Sequence, residues 1–170
     1  MALQTFKNLS TQRQTQILTT AYKEFGLNGY QSTSLSVIIK KLNIAKGSFY
    51  RYFNSKKSLY AYLLKNATEQ RLSKLNLLIE QPGIDFFELL KQNFINKIKF
   101  DIENPVIGAF LHRVMHERDN SEVSALIKSL IDNIIEQTKL IITLPKFKNQ
   151  LAQYDTNLMA FSIFNMQLWL

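Results

Sequence analysis

Residues 33–59 read TSLSVIIKKLNIAKGSFYRYFNSKKSL, and they decide how the rest of the chain is understood. Leu35, Ile38, Ile39 and Leu42 recur at the spacing of one helix face. Asn43 follows where the chain must bend, and Asn tolerates a left-handed turn better than most residues. Ile44 gives an apolar anchor after the turn. A second short helix is predicted at about Lys46–Phe53. Its Phe49 and Phe53, four apart, can face inward, while Lys46, Gly47, Ser48, Tyr50, Arg51 and Tyr52 form a small, polar or basic front. A short helix with an apolar back and a cationic, aromatic front fits the DNA major groove.

The residues Ser34, Ile38-Ile39, Leu42-Asn43-Ile44, Gly47-Ser48-Phe49-Tyr50, Tyr52-Phe53 and Ser55-Lys56 resemble the TetR family of transcriptional regulators. The likeness extends upstream through Ile17, Leu18, Ala21, Phe25, Gly29 and Tyr30, covering about the first third of the chain. Ser34, Ile39 and Asn43 depart from the family's usual Thr, Ala and Gly, and Ile39 implies slightly wider packing between the two helices. The resemblance implies that the helix beginning at Lys46 enters the major groove. Lys46, Gly47 and Ser48 would lie at the base edges, and Lys46 can donate to guanine O6 and N7. Tyr50, Tyr52 and Lys56 match positions that contact phosphate or flanking bases. Thr33 and Ser34 can donate to another phosphate. Arg51 joins this set, with the alternative that it points away from the groove. Lys40, Lys41 and Lys57 read as solvated or steering charges.

Charge distribution points the same way. The net charge is +8. Residues 1–80 hold 12 Lys or Arg and 3 Asp or Glu, whereas residues 81–170 hold 9 and 10. The excess therefore lies with the helix-turn-helix pattern, where Lys and Arg release counterions from a polyanion. A solvated basic surface is the alternative reading of charge alone. The chain has no cysteine, which excludes disulfides and thiolate metal sites and fits a cytoplasmic protein. Its hydrophobic content of 46% is that of a globular chain. It shows no signal-peptide run and no uncharged apolar stretch of about 18 residues, so no membrane association is expected.

Working outward, the chain reads as all-α. Helices are expected at about Thr11–Phe25, capped by Ser10 or Thr11 and ended by Gly26 and Gly29, and at about Ser34–Leu42. One long helix is expected from Lys56, capped by Ser55, to about Ile79. Pro82-Gly83 is the clearest punctuation. Further helices are expected from Ile84 or Asp85 to Glu103, at Val106–His116, from Ser121 to before Pro145, and over about Asn149–Leu170. This gives a three-helix DNA-binding domain at 1–55 and a helical effector-binding and dimerisation domain at 56–170. The long helix from Lys56 is shared by both. The end is very apolar, through Phe161, Ile163, Phe164, Met166, Leu168, Trp169 and Leu170. TetR-like chains are somewhat longer, and their last two helices build the dimer interface. The resemblance therefore implies a further terminal helix, or a partner covering this end.

By resemblance the second domain holds a small apolar or amphipathic effector, with Phe94, Ile98, Phe110, His112, Met115 and Phe161 as candidates for its wall. The bland alternative for each ring is core or dimer interface. His112 and His116 share a helix face at metal-binding spacing. Arg113 after His112 breaks the zinc-protease order, so polar or cavity-lining histidines are expected, with no metal and no cofactor. No phosphate loop, nucleophile elbow or paired-carboxylate signature stands out, so no enzyme is expected. The expectation is a homodimeric repressor that binds a near-palindromic double-stranded operator and is released by its effector. Two alternatives stay open: a regulator without a small-molecule effector, and a helical binding protein or enzyme with an incidental basic end.

Overall fold

The computed structural model describes residues 4–166, and among these every regular element is a helix. Leu168, Trp169 and Leu170 of the apolar C-terminal run lie outside the described residues. The elements are α1 (Gln4–Lys7), α2 (Thr11–Ser32), α3 (Leu35–Lys41), α4 (Lys46–Tyr52), α5 (Lys56–Arg71) and α6 (Leu75–Glu80). Then come α7 (Phe86–Glu103), α8 (Pro105–Met115), α9 (Ser124–Ile142), α10 (Lys148–Leu151) and α11 (Thr156–Met166), with a 3-10 turn at Pro145–Phe147.

Local chemistry sets most boundaries. Ser10 caps α2 by accepting from the Arg13 N–H at 3.3 Å. Ser55 and Ser58 bond each other's backbone N–H reciprocally at 3.0 Å to start α5. Asp85 accepts from the Glu88 N–H at 2.8 Å to start α7. Asn43 takes φ 49°, the left-handed turn its side chain favours, between α3 and α4. Arg13 Nη2 clamps that turn from α2 through the Leu42 carbonyl at 3.2 Å. Pro105 stands at the first position of α8, where its missing N–H costs nothing.

Three elements differ from the sequence expectation. Gly26 does not end α2. It stays helical and lets α8 approach, since a Cβ there would sit 3.3 Å from the Phe110 backbone nitrogen. The break comes at Gly29, whose φ of 71° is outside the helical region. The long helix from Lys56 stops at Arg71, and a turn over 72–74 separates it from α6. The final segment bends at 152–155 before α11 begins. A further short helix, α1, buries Phe6 against Phe53 and Tyr62, with ring centroids at 4.9 and 5.5 Å.

Two apolar clusters hold the helices. The first gathers Phe6, Ile17, Phe25, Ile38, Phe49, Phe53 and Leu59, and runs on without a gap into Phe110 and Val114 of α8 and Ile127 of α9. The second joins Phe86, Leu89, Ile142, Phe147, Ala160 and Ile163. Phe49 and Phe53 are fully buried, as their four-residue spacing requires. Gly29→Ala should cost at least about 1 kcal/mol, because an L side chain pays for φ above zero and the new Cβ would meet Glu117 Oε1 at 2.5 Å. Chemical denaturation measures that loss.

Candidate nucleic-acid interface and effector cavity

The front of α4 is open. Lys46, Gly47, Tyr50 and Arg51 are exposed, while Ser48 and Tyr52 are half-buried. A Cβ on Gly47 would meet nothing within 4 Å, so no contact inside the protein demands glycine there. Arg51 Nη2 reaches Ser48 Oγ at 3.3 Å, which keeps the guanidinium along the front of α4. Its carbonyl accepts from the Thr5 hydroxyl, tying α1 to α4. Tyr50 packs edge-on to Phe49 at 5.7 Å and is exposed. Ser34 is exposed at the start of α3. Lys56 lies over the Tyr30 ring at 4.5 Å and donates to the Gln31 carbonyl at 3.1 Å. This contact orients its ammonium at the start of α5, where the helix dipole adds to the positive field.

Thr33 departs from the sequence expectation of a phosphate donor. It is buried, and its hydroxyl turns inward to the Gly29 and Glu24 carbonyls at 2.5 and 3.1 Å. Its role is to close the turn between α2 and α3. Glu24 is itself buried and meets Lys41 Nζ at 2.5 Å, which fixes the end of α3 on α2 and gives Lys41 a structural partner. Periodicity could not identify this bond, since Glu24 lies on the apolar face of α2.

A second polar joint lies behind the reading face. Glu117, just beyond α8, accepts from the Tyr30 backbone N–H and from the Tyr60 hydroxyl, the latter at 2.6 Å. Burial, then the Glu117 carboxylate, pushes the Tyr60 hydroxyl far above its ordinary value, so it remains a donor at any physiological pH. Around this joint Phe25, Tyr30, Tyr60, Phe110 and Tyr22 form edge-to-face and stacked pairs at 5.1–6.2 Å. Phe110, expected at an effector wall, is fully buried in this block and packs on Tyr22 and Tyr60. Its place in the core follows from the close approach of α8 to Gly26.

A cavity of about 560 Å³ lies between α5, α7 and α9, with Leu75 and Ile163 also in its lining. Apolar walls come from Leu64, Leu72, Phe86, Leu89, Leu130 and Ile141, with Asn93, Ser129, Asn133 and Gln137 among the polar groups. A smaller space of about 130 Å³ adjoins it and shares Thr68, Leu72, Lys97, Leu130 and Ile134. His112 and Met115 line the smaller space. Phe94, Ile98 and Phe161 line neither, and Ile98 and Phe161 are exposed at the surface. The helical phase of α7 puts Asn93 and Lys97 on the inner face instead, a phase that aromatic content alone does not reveal. The His112 and His116 rings stand 4.8 Å apart, and among the described residues no group of three or more His, Cys, Asp or Glu is arranged to hold a metal.

The geometry up to this point defines a helix-turn-helix DNA-binding protein with a hollow helical body. Residues 17–63 match the sequence profile of bacterial regulatory proteins of the tetR family. The chain is 28% identical over 141 residues to the biofilm operon icaADBC negative transcriptional regulator IcaR of Staphylococcus aureus, covering 78% of this chain and 75% of that one. It is 25% identical over 138 residues to the HTH-type transcriptional regulator YhgD of Bacillus subtilis, covering 75% and 72%. Its fold superposes on a TetR family regulator of Chloroflexus aurantiacus with a TM-score of 0.71 at 24% identity, covering 99% of this chain and 77% of that one. The match over residues 17–63 gives this chain a tetR-type DNA-binding region, and along most of its length the chain is similar to HTH-type transcriptional regulators. Among the described residues no helix is long and apolar enough to cross a membrane.

Glu117→Ala should cost about 2 kcal/mol, because it strands the Tyr30 N–H and the Tyr60 hydroxyl. Glu117→Gln keeps one acceptor oxygen and should lose less. Urea titrations of both variants separate these outcomes.

Proposed function

We propose that the protein is a cytoplasmic homodimeric repressor that releases a near-palindromic operator when a small apolar or amphipathic ligand fills the cavity. One observation carries this reading: α5 serves both ends. Its first residue, Lys56, docks on Tyr30 beside the reading face, and its later residues Leu64, Thr68 and Leu72 line the cavity. Ligand that spreads α5 from α7 and α9 therefore moves Lys56 and the base of the DNA-binding helices. α8 adds a second link, with His112 and Met115 toward the smaller space and Glu117 beyond its end against Tyr30 and Tyr60. The response is a shift between two arrangements, as large as the ligand's preference for one of them.

In this reading Lys46, Gly47 and Ser48 meet base edges, with Lys46 donating to guanine. Ser34, Tyr50, Arg51, Tyr52 and Lys56 hold the phosphate backbone on either side. Two such heads in successive major grooves set half-sites about one helical turn apart, or a multiple of it. The dimer is supported by the outer side of the packed pair α9 and α11, where Leu140, Leu158, Phe161 and Met166 are exposed. The repressor sense is supported by the likeness to IcaR, a negative regulator.

Lys46→Ala should weaken operator binding and lower the salt slope of log affinity by about one. Gly47→Ala should leave unfolding stability within about 1 kcal/mol of the parent, given the open space around Gly47, yet weaken operator binding. Fluorescence anisotropy on a selected operator, beside denaturation, reads both effects; unchanged DNA affinity in both variants would refute the groove assignment. Leu158→Glu with Phe161→Glu should convert the dimer to a monomer in sedimentation experiments. A dimer that persists there would remove α11 from the interface.

A further inference from the structure

We propose that Thr5 of α1 is a positioning residue for DNA binding: docked by Phe6 and Gln14, it fixes the direction in which Arg51 leaves the end of α4 toward the phosphate backbone. This rests on the groove reading of α4 above and adds a residue that acts on DNA through another. α4 has little to hold itself with. It is seven residues long, and Ala45 at its N-terminus offers no side-chain cap. A helix that short is marginal on its own, so its pose is set by what touches it from outside. Arg13 of α2 holds the turn before it through the Leu42 carbonyl at 3.2 Å, and the buried Phe49 and Phe53 anchor its back. Its last turn is held by α1.

The Thr5 hydroxyl donates to the Arg51 carbonyl, one of the last carbonyls of α4, a group that a helix leaves without an intrahelical partner. That bond fixes the backbone from which the guanidinium leaves, and the guanidinium lies along the front of α4 on Ser48 Oγ at 3.3 Å. Thr5 is itself firmly placed. Its neighbour Phe6 is fully buried, with ring centroids at 4.9 Å from Phe53, 5.5 Å from Tyr62 and 6.4 Å from Tyr52. Gln14 of α2 donates from Nε2 to the Lys7 and Leu9 carbonyls at 3.1 and 2.8 Å. A path therefore runs from α2 through α1 to the end of α4, beside the Arg13 bond that holds its beginning. Charge agrees with this placement. Residues 1–68 contain one carboxylate, Glu24, which is buried against Lys41. Gln4, Lys7 and Asn8 are exposed around Thr5, so this corner can stand beside a polyanion without repulsion.

The test follows the full chain by fluorescence anisotropy on a selected operator and on a scrambled duplex of the same length, at several salt concentrations. Thr5→Val removes the hydroxyl and keeps the shape. It should lose about three- to tenfold in operator affinity, the scale of one hydrogen bond. Its affinity for the scrambled duplex and its salt slope should equal those of the parent, because a positioning residue neutralises no phosphate. Thr5→Ser should bind operator within about twofold of the parent, since serine carries the same donor. In the Arg51→Ala background Thr5→Val should cost much less, because the group it aims is gone. Operator affinity unchanged in Thr5→Val overturns the proposal, and so does an equal loss on both duplexes, which marks a general loosening of the fold. A salt slope lowered by about one in Thr5→Val means that Thr5 meets phosphate itself and overturns the positioning role. Losses that simply add in the double variant overturn the route through Arg51. A loss in Lys46→Ala beside an inert Thr5→Val refutes this proposal alone, whereas Lys46→Ala and Arg51→Ala that both bind operator as the parent does refute the groove reading beneath it.

Discussion

The crossing of α2 and α8 governs the architecture, and it depends on the small size of Gly26. There the Phe110 backbone nitrogen comes within 3.3 Å of the Cβ position. That approach lets Phe110 slot between Tyr22 and Tyr60, and it brings the end of α8 to the turn at Gly29. The DNA-binding helices are therefore not hung on the body by α5 alone. An aromatic block and one carboxylate, Glu117, join α2, α5 and α8 at a single point. Aromatic pairs add about 0.5–1.5 kcal/mol each beyond their buried area, so this block is stiff as well as dry.

Stiffness there has a mechanical meaning. A joint that bends anywhere would absorb a change in the body without passing it on. Two breaks in the helices lie away from it, at the turn over 72–74 and at the bend over 152–155. The first borders the cavity, at Leu72 and Leu75, and the second precedes α11, whose Ile163 lines it. Under the proposed function, deformation enters where the helices are broken and is conveyed where they are locked.

What the sequence disclosed was governed by range. The apolar faces of α3 and α4, the left-handed Asn43 and the Ser55 cap all rest on residues within one or two turns of each other, and each is found where the pattern puts it. The exposed row Lys46, Gly47, Tyr50 and Arg51 follows from the same helical phase. Contacts that span the chain left no local trace. Thr33 looks like a free hydroxyl until the carbonyls of Gly29 and Glu24 are folded over it. Gly26 looks like a helix stop because its neighbour α8 is more than eighty residues away. Glu117 carries no motif, and its partners are 87 and 57 residues distant. The cavity wall was missed at Phe94, Ile98 and Phe161 for a related reason: ring content marks burial of some kind, whereas only helical phase relative to α5 and α9 picks Asn93 and Lys97.

The open space around Gly47 has an evolutionary consequence. Positions 46, 47 and 50 carry little of the packing that keeps α4 in place, a duty that falls on Phe49 and Phe53 behind them. Substitution along the front of this helix is thus nearly free of folding cost. Lineages descended from one such scaffold can drift through new binding sequences without first acquiring compensating changes in the interior, so divergence of regulatory targets can outpace divergence of shape.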